Sequence, residues 1–248
     1  MQTHEACVQL TFDEGVATLT LNRPEARNAL NMELCQQLQE VLLEVGARPD
    51  VSLLLIRANG PVFCAGADLK ERKQMSEDQI RSRRLKAFAV YAAIEDLPMP
   101  TVAVIEGPAV GSGCEIASAC DFIVASDAAS FRYPEAQWGT VGATQRLPRI
   151  VGRRIAKELM FTGREVSAQE ALAIGLVNQL RPVDQFPGFL DELTQSIAQA
   201  PVAAMRSAKR TIDRGIDDSR MGALAHEILA IEENLTQGTW RAGITSFS

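Results

Sequence analysis

Histidine is nearly missing from this chain: of 248 residues only two are His, His4 near a start expected to fray and His226 in a late helical stretch. That scarcity argues against a Ser-His-Asp triad and against a histidine-rich metal site. Acid–base chemistry, if present, falls to carboxylates, tyrosine, lysine or cysteine. The five cysteines, Cys7, Cys35, Cys64, Cys114 and Cys120, are odd in number and show no CxxC spacing, so neither a disulfide framework nor a zinc knuckle is expected. No apolar run approaches the roughly 20 residues of a membrane helix. The segment Met1–Cys7 lacks a basic stretch followed by an apolar core, which predicts no secretory signal and a cytoplasmic location. A net charge of −6 disfavours the broad positive footprint of a nucleic-acid binder. Neither GxGxxG nor GxxxxGK[ST] occurs, so the signal for a nucleotide fold is weak.

What is present is an ordinary globular composition, with 46% hydrophobic and 23% charged residues. Alternation over Val8–Leu10 and Val16–Leu21 around Asp13-Glu14-Gly15 predicts a hairpin. Asn31 caps a predicted helix with Leu34, Leu38, Val41, Leu42 and Val45 on one face, ending at Gly46. Val51–Ile56 and Thr101–Ile105 are nearly all apolar and read as strands covered on both faces. A capping box, Ser76 with Gln79, opens a helix running to about Ile94, whose basic run from Arg81 to Lys86 reads as a solvated face. A short helix from about Cys114 to Cys120 and a strand Phe122–Ala125 follow. Strand, turn, helix and strand in repeated order predict α/β layering with parallel pairing. From about Gly142 the chain turns helical, over Gly152–Phe161, Ser167–Ala173, Phe189–Ala200, Val202–Arg214 and Ser219–Gln237. The last of these carries Leu224, Ile228, Leu229 and Ile231, apolar residues that need cover from the first layer or from another subunit.

Two loops of small residues interrupt the strands. Cys64-Ala65-Gly66-Ala67-Asp68 lets another molecule approach its backbone, and Gly111-Ser112-Gly113 leads into a helix whose first N–H groups lack intrahelical partners. One amide from each would form an oxyanion hole, for which a carbonyl becoming an enolate is the natural guest. Two carboxylates stand nearby. Taken alone, Glu115 reads as a helix-end acid worth a few tenths to ~1 kcal/mol, and Glu135, after Tyr133-Pro134, as a solvated loop acid.

Their surroundings decide between these readings. The chain resembles the crotonase superfamily, the enoyl-CoA hydratase and isomerase family, through Asn22-Arg23-Pro24, Asn28-Ala29-Leu30, Phe63 to Lys70 and Gly111 to Glu115. The likeness continues through Asp121, Tyr133-Pro134-Glu135, Thr144-Gln145-Arg146-Leu147 and Thr162-Gly163 to Val177. The resemblance implies an α/β fold, a crotonase-like spiral of ββα units over residues 1–190. It further implies a helical C-terminal trimerisation region over 191–248, commonly in a dimer of trimers. It implies a coenzyme A thioester substrate with no metal or redox cofactor required; hydropathy and net charge, as above, argue against a membrane or nucleic-acid partner. The thioester oxygen is expected on the N–H groups of Ala65 and Ser112. Glu135 is expected to exchange the proton at C2 and Glu115 to deprotonate the water that attacks C3. Ala26, Arg27, Ala65, Gly66, Ala67, Asp68 and Lys70 are expected along coenzyme A, with Lys70 toward a phosphate. An enoyl-CoA hydratase is the reading this favours. An isomerase, hydrolase or decarboxylase on the same scaffold, or a non-catalytic relative binding coenzyme A or RNA through the basic run, are the alternatives.

Three departures accompany the resemblance. Ser112 replaces the family's common glycine, the loop Gly139–Thr144 is shorter than its usual counterpart, and Gln237-Gly238-Thr239-Trp240-Arg241 replaces the usual tail. There Trp240 or Phe247 is expected to take over the tail's contacts or to pack.

Overall fold

A computed structural model describes residues 6–238 together with 240 and 241. His4, Thr239 and Phe247 lie outside the described residues. The chain opens with β1 (Val8–Asp13) and β2 (Val16–Leu21), the predicted hairpin, paired antiparallel from Val8–Leu21 to Asp13–Val16. After a 3-10 turn at Pro24–Ala26 comes α1 (Met32–Ala47), started by the Asn31 side chain, which accepts the Leu34 N–H at 2.8 Å. Then follow β3 (Leu53–Ala58), the one-turn α2 (Leu69–Arg72) and α3 (Glu77–Glu95), whose start is the predicted capping box. The middle of the chain holds β4 (Thr101–Ile105), β5 (Pro108–Val110), α4 (Ser112–Ala119), β6 (Phe122–Ser126) and β7 (Ser130–Arg132). A 3-10 turn at Ala136–Trp138 leads to α5 (Arg146–Val151), α6 (Arg153–Thr162), β8 (Glu165–Ser167), α7 (Ala168–Ala173) and β9 (Gln179–Arg181). Three helices close the chain: α8 (Phe186–Ala198), α9 (Val202–Ile216) and α10 (Arg220–Gln237).

Among the described residues nine strands form two sheets, one ordered β1-β2-β3-β4-β6-β9 and one ordered β5-β7-β8. In the large sheet every pairing after the first hairpin is parallel. Successive turns of chain place one strand in each sheet: β4 then β5, and β6 then β7. Single bridges, Leu30 to Ala67 and Cys64 to Ala109, extend the same arrangement to earlier turns. This is the expected spiral of ββα units, and the strand-to-helix corners collect along one side of it.

The apolar runs of β3, β4 and β6 follow from their neighbours. Side chains alternate across a strand, so Leu54, Ile56, Ala103, Ile105, Ile123 and Ala125 face the main core with α1, α3 and α4. Leu53, Leu55, Val102, Val104 and Val124 face a second core closed by Phe186, Leu190 and Ile197 of α8. A strand covered on both faces has no polar side to show. The expected boundary after residue 190 therefore falls inside α8, and α8 packs with the sheet. The helical pair beyond it is different in kind: no residue of α9 or α10 is buried, and Ile216 (78% exposed) and Met221 (74%) stand in water.

Short elements escape periodicity. β5, β7, β8 and β9 are three residues each, too short to show a period of two. At α7 the Ser167-to-Glu170 spacing of a capping box forms only half of one: Ser167 Oγ accepts the Glu170 N–H, while the Glu170 carboxylate pairs with Arg164 at 2.6 Å.

Candidate active site

Both small-residue loops face one cleft. Gly66, Ala67, Gly111, Ser112, Glu115 and Glu135 share its lining with Arg84, Tyr91, Trp138 and the loop Thr140–Gly142. Gly111 precedes α4 at φ 51°, ψ −108°, a conformation that glycine adopts readily and other residues avoid. It turns β5 sharply into α4, and Gly113 allows the helix start to lie against the Cys64 carbonyl, which an added Cβ would overlap. Ser112 is the first helical residue, its φ is negative, and it needs no glycine.

The free amides are not the two that the motifs suggest. Ala65 donates its N–H to the Arg27 carbonyl at 3.0 Å, so it has none to offer a ligand, and it is absent from the cleft lining. Parallel bridging of Leu30 to Ala67 uses Leu30 N–H on the Gly66 carbonyl and Asp68 N–H on the Leu30 carbonyl. That pattern leaves the Ala67 N–H out of the ladder, facing the cleft with no acceptor among the described residues. Ser112, at the open end of α4, has no backbone acceptor for its N–H either. The pair of uncommitted donors is Ala67 and Ser112, a correction of two residues that only the ladder register reveals.

Glu115 is 4% exposed, one turn into α4. Its Oε1 accepts the Ala143 N–H, and its Oε2 meets Arg146 Nη1 at 3.2 Å. Arg146 also forks onto Glu95 through Nε at 2.7 Å and Nη2 at 2.5 Å, with its guanidinium 5.4 Å from the Tyr91 ring centre. The Glu115 carboxylate is thus held at both oxygens. Ala143 reaches it from a left-handed backbone, φ 55°, in the shortened loop.

Glu135 is half-buried and differently placed. Its Oε2 is buried with no partner. Burial, helped by the nearby Glu115 charge, pushes its carboxyl above the usual carboxylate value, while its backbone hydrogen bonding and Arg84 pull the other way. One carboxylate is fastened by a cation and an amide, the other is loosely held with an oxygen aimed at nothing in the protein.

The expected coenzyme A residues divide. Gly66 and Ala67 line the cleft, whereas Ala26, Arg27, Asp68 and Lys70 do not. The Ala65–Arg27 hydrogen bond and the Leu30–Ala67 bridge nonetheless bring the 26–30 and 64–70 loops side by side. The Asp68 carboxylate is already committed, capping α2 through the Lys70 and Glu71 N–H groups and meeting Arg23 at 3.3 Å. Lys70 is exposed beside it.

The basic run is not a uniformly solvated face. Arg83 is buried and donates to the Leu30 carbonyl at 3.0 Å, and Arg84 turns into the cleft, donating to Thr140 Oγ1. Sequence reasoning also gave no role to Tyr91, which lines the cleft and whose hydroxyl stays protonated because burial pushes its pKa up. Arg146 was visible only as part of the Thr144–Leu147 motif.

A model of the enoyl-CoA hydratase/isomerase family matches residues 11–248. The chain belongs to the enoyl-CoA hydratase/isomerase family. It is 36% identical to the short-chain-enoyl-CoA hydratase of Clostridium acetobutylicum, covering 97% of this chain and 94% of that protein. It is 37% identical to an enoyl-CoA isomerase/hydratase of Mycosarcoma maydis, with 94% and 89% covered. The fold superposes on the crystal structure of an enoyl-CoA hydratase from Bacillus anthracis with a TM-score of 0.94 at 34% identity, covering 97% of this chain and 95% of that one. The crotonase fold follows. Family membership also implies an acyl-CoA thioester substrate. Relatives bearing both activities in their names leave the choice between hydration and isomerisation to the residues of the cleft. No helix among the described residues is long and apolar enough to cross a membrane.

Proposed function

We propose that the protein is an enoyl-CoA hydratase, adding water across the C2=C3 bond of a 2-enoyl-CoA thioester. The observation that carries this reading is two carboxyl groups on one cleft with contrasting environments, beside two uncommitted backbone amides. An isomerase needs one carboxyl group to carry a proton between carbons; a second, paired with a guanidinium and a backbone amide, suits activation of water.

The thioester oxygen sits between the N–H groups of Ala67 and Ser112, the latter at the positive end of α4. Negative charge reaches this oxygen as the enolate forms, and amides fixed in advance stabilise it without reorganising. Glu115 takes a proton from water as the water oxygen bonds to C3, and the C2=C3 pair moves into the enolate. Glu135, kept protonated more readily by its burial, gives its proton to C2 as the carbonyl reforms. Each carboxyl ends in the other's starting protonation state, and exchange with solvent restores both. Coenzyme A runs outward past the joined 26–30 and 64–70 loops, with Lys70 available to a phosphate. The uncovered apolar residues of α9 and α10 support a trimer, or a dimer of trimers, that buries them.

Loss of the conjugated enoyl-thioester absorbance on adding crotonyl-CoA tests the reaction. Glu115→Gln and Glu135→Gln are each expected to lose a hundred- to ten-thousand-fold in kcat, the usual share of positioned proton transfer. An active wild type with either variant at full rate would remove that residue from the mechanism. No hydration across several chain lengths, with coenzyme A binding demonstrated, would sink the hydratase reading.

A further inference from the structure

We propose that Arg84 is an anchor for a second carboxylate on the acyl group, so that the favoured substrates are 2-enoyl-CoA thioesters of dicarboxylic acids. Arg84 leaves the predicted solvated face of α3 and lines the cleft half-buried. Its only hydrogen-bond acceptor among the described residues is the neutral Thr140 hydroxyl. No described carboxylate lies within ion-pair distance of it, in contrast to Arg146, which is matched by Glu95 and Glu115.

A guanidinium presents five N–H donors in a planar fork suited to a carboxylate. Withdrawing it partly from water with one neutral partner carries a desolvation cost that an incoming anion would offset. A family cleft that received only hydrocarbon at this point would gain nothing from a charge there.

Position identifies which anion. The phosphates of coenzyme A are a full pantetheine arm away from the reacting carbons. Arg84 instead lies beside Glu135, the carboxyl assigned to C2: Thr140, which accepts from Arg84, donates its N–H to the Glu135 carbonyl at 2.9 Å, and both side chains line the cleft. A group meeting Arg84 therefore belongs to the acyl chain, a few atoms beyond the double bond. Arg72, from α2, also lines the cleft with no side-chain acceptor among the described residues, so the positive charge of this wall is not Arg84's alone. The apolar neighbours Phe88 and Val141 accommodate the methylene groups between the two functional ends.

The hydratase reading supplies the reaction, but the anchor is tested by binding alone. Calorimetric titration of the wild type with glutaryl-CoA and with pentanoyl-CoA, saturated thioesters of equal chain length, compares a terminal carboxylate with a methyl group. Glutaryl-CoA is expected to bind about ten- to a hundredfold more tightly, the range for a charge-assisted hydrogen bond. Arg84→Met is expected to bring the ratio of the two affinities to within about threefold, and Arg84→Lys, which keeps the charge without the fork, to an intermediate ratio. Pentanoyl-CoA binding by each variant reports that the cleft is folded. Equal affinities in the wild type, or a preference that survives in Arg84→Met, would overturn the anchor. A glutaryl-CoA preference without hydration of any enoyl thioester would leave the anchor standing and sink the reaction. Hydration without that preference would do the reverse.

Discussion

Gly111 and Gly142 flank the Glu135 side chain, and they separate strain in the backbone from displacement of the carboxyl. A Cβ built on Gly111 would lie 3.0 Å from Glu135 Oε1 and 3.8 Å from its Cδ. The flexible carboxyl gives way first, by a few tenths of an ångström. At φ 51° the alanine would also be held in backbone that non-glycine residues avoid, at a cost of ~1–3 kcal/mol. A Cβ on Gly142 would lie 3.1 Å from Glu135 Cγ, and Gly142 does not have a positive φ. It presses on the same side chain without backbone strain.

Misplacing a reacting group by about 1 Å costs on the order of a hundredfold. Gly111→Ala is expected to lower kcat on crotonyl-CoA about tenfold, for a shift of a few tenths of an ångström, and Tm by roughly 4–8 °C for ~2 kcal/mol of backbone strain. Gly142→Ala is expected to lower kcat about tenfold with Tm nearly unchanged. Initial rates and thermal melts on the two variants, with Glu135→Gln beside them, make the comparison. The reasoning fails if Gly111→Ala melts early yet turns over like wild type while Glu135→Gln is inactive. Glu135 would then act from a position that these glycines do not set.

Three further outcomes follow from the same geometry. Because burial raises the Glu135 value in the folded chain, its contribution to stability is full below the ordinary carboxylate pKa and is lost as pH rises through the raised one. Glu135→Gln cannot ionise, so its Tm relative to wild type should climb as pH rises from the ordinary carboxylate range through the raised value; a constant difference would contradict the buried carboxyl. Arg146→Met leaves Glu115 with a single amide partner and should cost ~3 kcal/mol, the low end for breaking a buried pair. It should also lower kcat more than it raises KM, and Arg146→Lys should recover little because one ammonium cannot fork onto Glu95 while reaching Glu115. A Leu224→Glu, Ile228→Glu double variant on α10 should shift the mass measured by light scattering toward the monomer; an unchanged mass would place the subunit contact elsewhere.

Long elements were legible because their physics is local. The α1 cap, the α3 capping box and the doubly covered strands β3 and β4 each follow from residue spacing alone. The free amide was not. Ala65 and Ala67 flank the same glycine in a run of small residues, and only the pairing of that run with Leu30 decides which N–H is consumed. Arg83 and Arg84 were equally opaque: neighbours in a charged stretch, one buried beneath Leu30 and the other in the cleft, separated by the roughly 100° that one residue turns on a helix. Taken alone Glu135 reads as a solvated acid, and only the resemblance moves it into the site; its burial between α4 and the following loop, with Gly111 and Gly142 against it, needed the fold.

The position of Glu115 raises an electrostatic difficulty that its neighbours resolve. α4 begins at Ser112, and its first turn offers partial positive charge to whatever anion arrives there. A thioester oxygen gaining charge on the Ser112 N–H and the Glu115 carboxylate one turn further on share one helix end until Glu115 has taken the proton of water. Were the carboxylate to rely on the helix, each would weaken the other during that step. Arg146 and the Ala143 N–H remove that dependence by meeting Glu115 from outside α4. Glu95 in turn occupies the rest of the Arg146 fork, so the cation is neutralised on its far side and does not draw the thioester oxygen away from the amides. The short loop that carries Ala143 and the motif that carries Arg146 thus serve the oxyanion hole as well as the base, although neither touches the thioester.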